Sequence, residues 1–127
     1  MTALVLDAGA FIAIERNDRN TLALLKVVQT NSLSLRSNGV VVAEVWRGGP
    51  GKQALLARFL DAVELVPVDD DLGRAAGVLI REARGGSAID ATVVTIARDG
   101  DQILTSDQAD IQALIDCSGR RIGVIAC

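Results

Sequence analysis

The chain contains no histidine, and that absence alone removes several chemistries. Ser-His-Asp triads, imidazole acid–base pairs and histidine-ligated zinc are all excluded. Cysteine is nearly as scarce. Cys117 and Cys127 are too few for a disulfide framework or a Cys-rich metal site, so a reducing, cytoplasmic setting is expected. No long Pro/Ser linker or internal repeat divides the 127 residues, and no run approaches the roughly 18 apolar residues of a membrane helix. The opening MTALVLDAGAF has no basic stretch before its apolar run, and Asp7 interrupts that run, so it is not expected to act as a signal peptide. The expectation is one compact domain over residues 1–127 with no membrane partner.

Basic residues are also outnumbered. Thirteen Lys+Arg stand against 16 Asp+Glu, a net charge of −3. Phosphate binding usually wants a basic face, so this balance argues against a nucleic-acid partner unless the acids serve a separate purpose.

Half of the residues are hydrophobic, enough for a real core at this length. They fall into short apolar runs alternating with helical patterns. Ala3 to Leu6 reads as a buried strand, and AGAFIAIE and the Leu22/Leu25/Val28 spacing read as helices. Ser37-Asn38-Gly39 is a turn or N-cap before VVVAEVWR, whose period fits strand or helix. Gly48-Gly49-Pro50-Gly51 is a break. Leu55, Leu56, Phe59, Leu60 and Val63 predict an amphipathic helix, and Glu64 to Val68 a short strand. Asp69-Asp70-Asp71 caps a helix carrying Leu72, Ala75, Ala76, Leu79, Ile80 and Ala83, which Gly85-Gly86 ends. Ser87 opens another helix through Ala97, Gln102 to Thr105 is a strand, Asp107 starts a further helix, and Ile122 to Ala126 is a last strand. Strands alternating with helices predict a mostly parallel sheet covered on both faces. Phe11, Ile12, Leu25 and Trp46 are assigned to its core.

In such sheets, sites form at the carboxyl ends of strands. Asp7 follows the first strand and Asp107 follows the strand ending at Thr105, so parallel strands would bring both carboxylates to one edge. Each acid also has a purely structural explanation. Asp7 can cap the next helix, Ser87-Ala88-Ile89-Asp90 has the form of a capping box, and Asp107 and Asp110 can be an N-cap and its third helical residue. Glu44 is harder to explain, because Val40 to Trp46 is otherwise apolar. It must face solvent, pair with Arg47, or share a cation with other acids. Several carboxylates at one sheet edge repel one another, and Mg²⁺ or Mn²⁺ offsets that repulsion as a hard cation preferring oxygen ligands. Such a centre lowers the pKa of bound water and neutralises a leaving oxygen, so it runs phosphodiester hydrolysis without histidine.

The sequence here resembles the PIN-domain ribonucleases, and among them the VapC-like toxins of bacterial toxin–antitoxin pairs. The resemblance covers essentially the whole chain and rests on four motifs in order. These are Leu4-Val5-Leu6-Asp7, Val42-Ala43-Glu44-Val45-Trp46-Arg47-Gly48, Asp90-Ala91 within SAIDATVVTIA, and Thr105-Ser106-Asp107 with Asp110 nearby. One departure is Gly9, where the family often carries a hydroxyl or a larger residue.

The resemblance implies a three-layer α/β/α sandwich and a Mg²⁺- or Mn²⁺-dependent endoribonuclease. It implies that Asp7, Asp90 and Asp107 bind metal, with Asp110 as an extra ligand. Glu44 would complete the acidic cluster and help position the attacking water, and Thr105 would orient a carboxylate or water. It also implies a cognate antitoxin in a groove among the early helices, and a homodimer. Arg84, beside the Asp90 helix, becomes a candidate RNA contact, as do Arg47, Lys52 and Arg58 around the glycine-rich break. Arg84 has an equally simple role as a cation at a helix C-terminus. Two other readings compete. One is a non-catalytic PIN-like binding module whose acids are only caps. The other is a phosphoaspartate domain, disfavoured because Asp7-Ala8-Gly9 lacks a second aspartate and no lysine lies near the last strands. Setting aside Asp7, Glu44, Asp90, Asp107 and Asp110 leaves 11 acids against 13 basic residues, so the net charge does not exclude RNA.

Overall fold

A computed structural model describes residues 2–49 and 51–127; Met1 and Pro50 of the glycine-rich break lie outside the described residues. The elements run β1 (Ala3–Leu6), α1 (Ala8–Glu15), α2 (Arg19–Thr30), β2 (Ser34–Asn38), α3 (Gly39–Val45) and α4 (Ala54–Asp61). They continue with β3 (Val63–Val66), α5 (Asp70–Ala83), α6 (Ala88–Ile96), β4 (Gln102–Thr105), α7 (Gln108–Ser118) and β5 (Gly123–Ala126). The strands form one sheet in the order β3-β2-β1-β4-β5, and every pairing is parallel. Among the described residues seven helices cover it, giving the expected three-layer α/β/α architecture. Helix α1 packs on α2, α3 and α4, whereas α5, α6 and α7 pack on one another. β1 is buried along its whole length and the edge strand β5 is not, as burial on both faces requires of a central parallel strand.

Three local expectations change. Ser34–Asn38 was read only as a turn at its end, yet it is strand β2, paired with β1 and β3. Its polar residues hide the strand signal because three of them, Arg36, Ser37 and Asn38, find partners elsewhere in the fold. Ser37 Oγ donates to the Leu6 carbonyl at 2.7 Å, and Arg36 reaches the buried carboxylate of Asp101 at 2.7 Å. Asn38 caps α3 by accepting from the Val40 and Val41 amides, which resolves the following apolar run as helix. Val63 belongs to β3, not to the helix before it, because α4 ends at Asp61 and Val63 pairs with Leu35. Ile12 and Trp46 are both 39% exposed, not core: α1 is apolar all round but buries only Ala10, Phe11 and Ile14, and Trp46 lies just past the end of α3.

Asp101 accepts from the Ala3 amide at 2.8 Å, the Arg98 amide at 2.9 Å and Arg36. It thereby joins the starts of β1 and β4 to the middle of β2. Replacing Asp101 with Asn puts a donor where Arg36 and the Arg98 amide already donate. Asp101→Asn is therefore expected to lower stability by about 3–5 kcal/mol, read as a lower urea midpoint at unchanged slope. Arg36→Met is expected to cost less, because Asp101 keeps both amides.

Candidate metal centre

The strand order reverses direction between β1 and β4, and an open parallel sheet forms its crevice at such a point, beyond the carboxyl ends. The register pairs Leu6 with Leu104, so Asp7, the first residue past β1, lies beside Thr105, the last of β4. Thr105 Oγ1 donates to Asp7 Oδ2 at 2.7 Å and accepts from the Asp107 amide at 2.9 Å. One buried hydroxyl thus fixes a carboxylate and the backbone that carries the next one.

The capping explanations can now be judged acid by acid. Asp7 does cap α1: its Oδ1 accepts from the Ala8 amide at 2.8 Å, while Oδ2 turns to Thr105. Asp107 occupies the N-cap position of α7 but its side chain makes no capping hydrogen bond. At α6 the cap is Ser87, whose Oγ accepts from the Asp90 amide at 3.0 Å. The capping box is only half built, because among the described residues the Asp90 carboxyl does not accept from the Ser87 backbone amide.

The freed side chains converge. Asp7, Asp90 and Asp107 each present an oxygen, all within 4.8 Å of one another. Asp7 and Asp90 are buried and Asp107 is exposed. Glu44, exposed on α3, and Asp110, exposed on the first turn of α7, line the same cleft of about 390 Å³ with Ile12, Ser87, Ile89 and Ser106. Asp110 stands outside the tight trio. Burial, then the charges of Asp7 and Asp107, push the Asp90 carboxyl up to about 6, against the opposing bond from Ser87. A donor set of three clustered carboxylates, with an unspent Asp107, suits a hard divalent cation such as Mg²⁺ or Mn²⁺.

The remaining expectations separate. Glu44 makes no ion pair with Arg47 among the described residues; the Arg47 guanidinium instead donates to the Ala43 and Trp46 carbonyls at 3.0 and 2.8 Å. Arg47, Lys52, Arg58 and Arg84 do not line the cleft. Arg84 is the left-handed C-cap of α5 (φ 59°), just before Gly85 and Gly86. The significance of Gly9 and Ser106 escaped the sequence. A Cβ on Gly9 would lie 2.8 Å from Ser106 Cβ and 3.0 Å from its backbone nitrogen, so glycine there is dictated by the seat of Ser106. No periodicity announces such a contact across 97 residues of chain.

No protein-family model matches this chain, and no curated protein matches it in sequence. Its fold is nevertheless one already seen. It matches a chain of the crystal structure of VapBC2 from Rickettsia felis bound to a DNA fragment from their promoter. The TM-score is 0.72, at 12% identity, over 98% of this chain and 99% of that one. At that identity the likeness establishes the α/β/α fold.

Asp90 makes the centre's electrostatics testable without any activity. Between its unfolded pKa near 4 and its folded value of about 6, the native state holds the extra proton. Its contribution to stability is therefore fully present below about pH 4 and lost as pH rises through 6. In EDTA, Asp90→Asn is expected to melt a few degrees above wild type at pH 7, the difference vanishing by pH 4. A pure capping role for this carboxyl would give the opposite sign at pH 7.

Proposed function

We propose that the chain is a Mg²⁺- or Mn²⁺-dependent endoribonuclease of the VapC toxin type. The supporting observation is the trio of carboxylates at the β1–β4 switch point, with Asp107 released from capping its own helix. Asp7, Asp90 and Asp107 would hold the cation, with Asp110 as a further ligand. The cation supplies an acidified water for in-line attack and offsets charge on the leaving oxygen.

The chain's own residues do the rest. Thr105 keeps Asp7 oriented and fixes the backbone at the start of α7, from which Asp107 projects. Glu44, which among the described residues makes no ion pair with Arg47, lines the same cleft and would help position the attacking water. With no histidine in the chain, proton transfer falls to carboxylates and water. Arg84, Arg47 and Lys52 do not line the cleft and would at most meet phosphates away from the cation. A cognate antitoxin in a groove among the early helices, a homodimeric assembly and a cytoplasmic location complete this reading. The VapBC2 fold match is consistent with the toxin assignment. No helix among the described residues is long and apolar enough to cross a membrane.

The rival binding module needs all the acids to be caps, and only Asp7 behaves as one. The test is purified protein incubated with total RNA in Mn²⁺. Cleavage is expected, EDTA is expected to stop it, and Asp90→Asn or Asp107→Asn should reduce it at least about 100-fold. Mn²⁺ should also raise the wild-type Tm by several degrees but not that of Asp90→Asn. Undiminished cleavage by either variant sinks the assignment, and a Tm indifferent to Mn²⁺ favours the module.

A further inference from the structure

Asn38 does more than cap α3. It is the last residue of β2 and is fully buried, and its Oδ1 accepts from the Val40 and Val41 amides at 2.9 and 3.1 Å. Two N–H groups aimed at one atom require an oxygen there, so the amide nitrogen must face the other way. On that side Nδ2 donates to Thr92 Oγ1 of α6 at 3.2 Å. Thr92 has one hydroxyl proton and gives it to the Ile89 carbonyl at 2.6 Å. Each donor and acceptor in this relay is fixed by the one before it.

The relay ends on the peptide that carries Asp90. The Ile89 carbonyl and the Asp90 amide belong to one planar unit. Thr92 holds the carbonyl, and Ser87 Oγ accepts from the amide at 3.0 Å. The unit is therefore held on both sides, and one of the two holds is anchored outside α6, at the end of β2. That anchor stands beside Asp7. β1 and β2 pair Val5 with Arg36, and Ser37 Oγ bonds the Leu6 carbonyl, so Asp7 and Asn38 fall at the same level on adjacent chains. From the opposite flank, Thr105 on β4 ties the Asp107 backbone to Asp7.

Resting on the metal-dependent nuclease reading, we propose that Asn38 is a positioning residue of the centre: through Thr92 it holds Asp90 at the distance from Asp7 that a shared cation requires. A helix cap alone needs only the side-chain oxygen, which serine or aspartate supplies as well. The buried amide nitrogen is what the cap does not use. Mg²⁺ demands near-ideal octahedral geometry, and ligands placed more than about 0.5 Å off lose affinity. Without the relay, α6 keeps Ser87 as its cap but loses its tie to the strand end beside Asp7.

The test is Mn²⁺ binding to the metal-free protein, measured by isothermal titration calorimetry. Thr92→Val keeps the side-chain shape and removes the hydroxyl, and is expected to weaken Mn²⁺ binding about tenfold, as loss of a group that orients a ligand does. Thr92→Ser restores the hydroxyl and should recover most of the affinity. Asn38→Ser keeps a capping oxygen but removes the amide, and is expected to lose about as much as Thr92→Val. The double variant should bind no more weakly than either single one, because both break the same link. Val28→Ala is the control for lost stability: Val28 is buried on α2, where it shares a cavity with Thr2 and Gly100 before the starts of β1 and β4. It should lower Tm by several degrees and leave Mn²⁺ affinity unchanged. Wild-type affinity in Thr92→Val or Asn38→Ser overturns the proposal, as do additive losses in the double variant or an equal loss in Val28→Ala. Wild-type protein that binds no Mn²⁺ overturns both this proposal and the nuclease reading. If Mn²⁺ binds with the expected losses but wild type never cleaves RNA, the nuclease reading falls and the positioning role stands. If wild type cleaves RNA and the variants bind Mn²⁺ as it does, the positioning role falls and the nuclease reading stands.

Discussion

One buried carboxylate sets the geometry on which everything else rests. Asp101 accepts from Ala3 at the start of β1, from Arg98 before β4 and from Arg36 within β2. The three central strands are thus tied together at the end opposite the acidic cleft. A slip of one residue between parallel strands turns every side chain to the other face. With Ala3 held to Asp101, Leu6 falls beside Leu104, and Asp7 must emerge next to Thr105. The ion pair contributes little net stability after desolvation. Its consequence is positional: a carboxylate at one end of the sheet fixes where the carboxylates at the other end come out.

The cleft accumulates charge that the fold only partly offsets. Asp7 caps α1, Asp107 precedes α7, and Asp90 lies in the first turn of α6, so the three carboxylates sit at the positive ends of three helices. The Thr105 hydroxyl adds a hydrogen bond to the Asp7 carboxylate and Ser87 one that lowers the Asp90 pKa. These are small terms against three oxygens within 4.8 Å, and burial together with the Asp7 and Asp107 charges leaves the Asp90 carboxyl raised. Nature's usual use of an N-cap side chain is to bond its helix. At Asp107 that use is given up, while the Thr105 hydroxyl holds the Asp107 amide.

Much of this was legible in the residue order. Helix α5, with its acidic start, periodic apolar face and terminal glycines, was placed from pattern alone, and so was β4. The acids of the centre were legible because each follows or opens an element at the sheet's carboxyl edge. What pattern could not show were satisfactions between distant residues. β2 is polar at Ser34, Arg36, Ser37 and Asn38, and its partners lie in β1, α6 and the turn before β4. Ile12 and Trp46 look like core in a window of sequence, and only the packing of α1 and the end of α3 decides otherwise. Gly9, a departure from the family pattern, is accounted for by Ser106, which occupies the space a side chain there would need.

The charge balance that first argued against a nucleic-acid partner is better understood as two populations. Five acids line one cleft, and those left over are outnumbered by the 13 basic residues. Some of the remaining acids are themselves committed, Asp101 to Arg36 and Asp70 to Arg74. A polyanion meeting this molecule therefore encounters a mildly basic body and one strongly repulsive cleft. Repulsion in a narrow cleft is felt more strongly than its share of net charge suggests, because the surrounding protein screens it less than water does. Any cation that neutralises the cleft must then strengthen polyanion binding, and by linkage a bound polyanion must strengthen cation binding by the same factor.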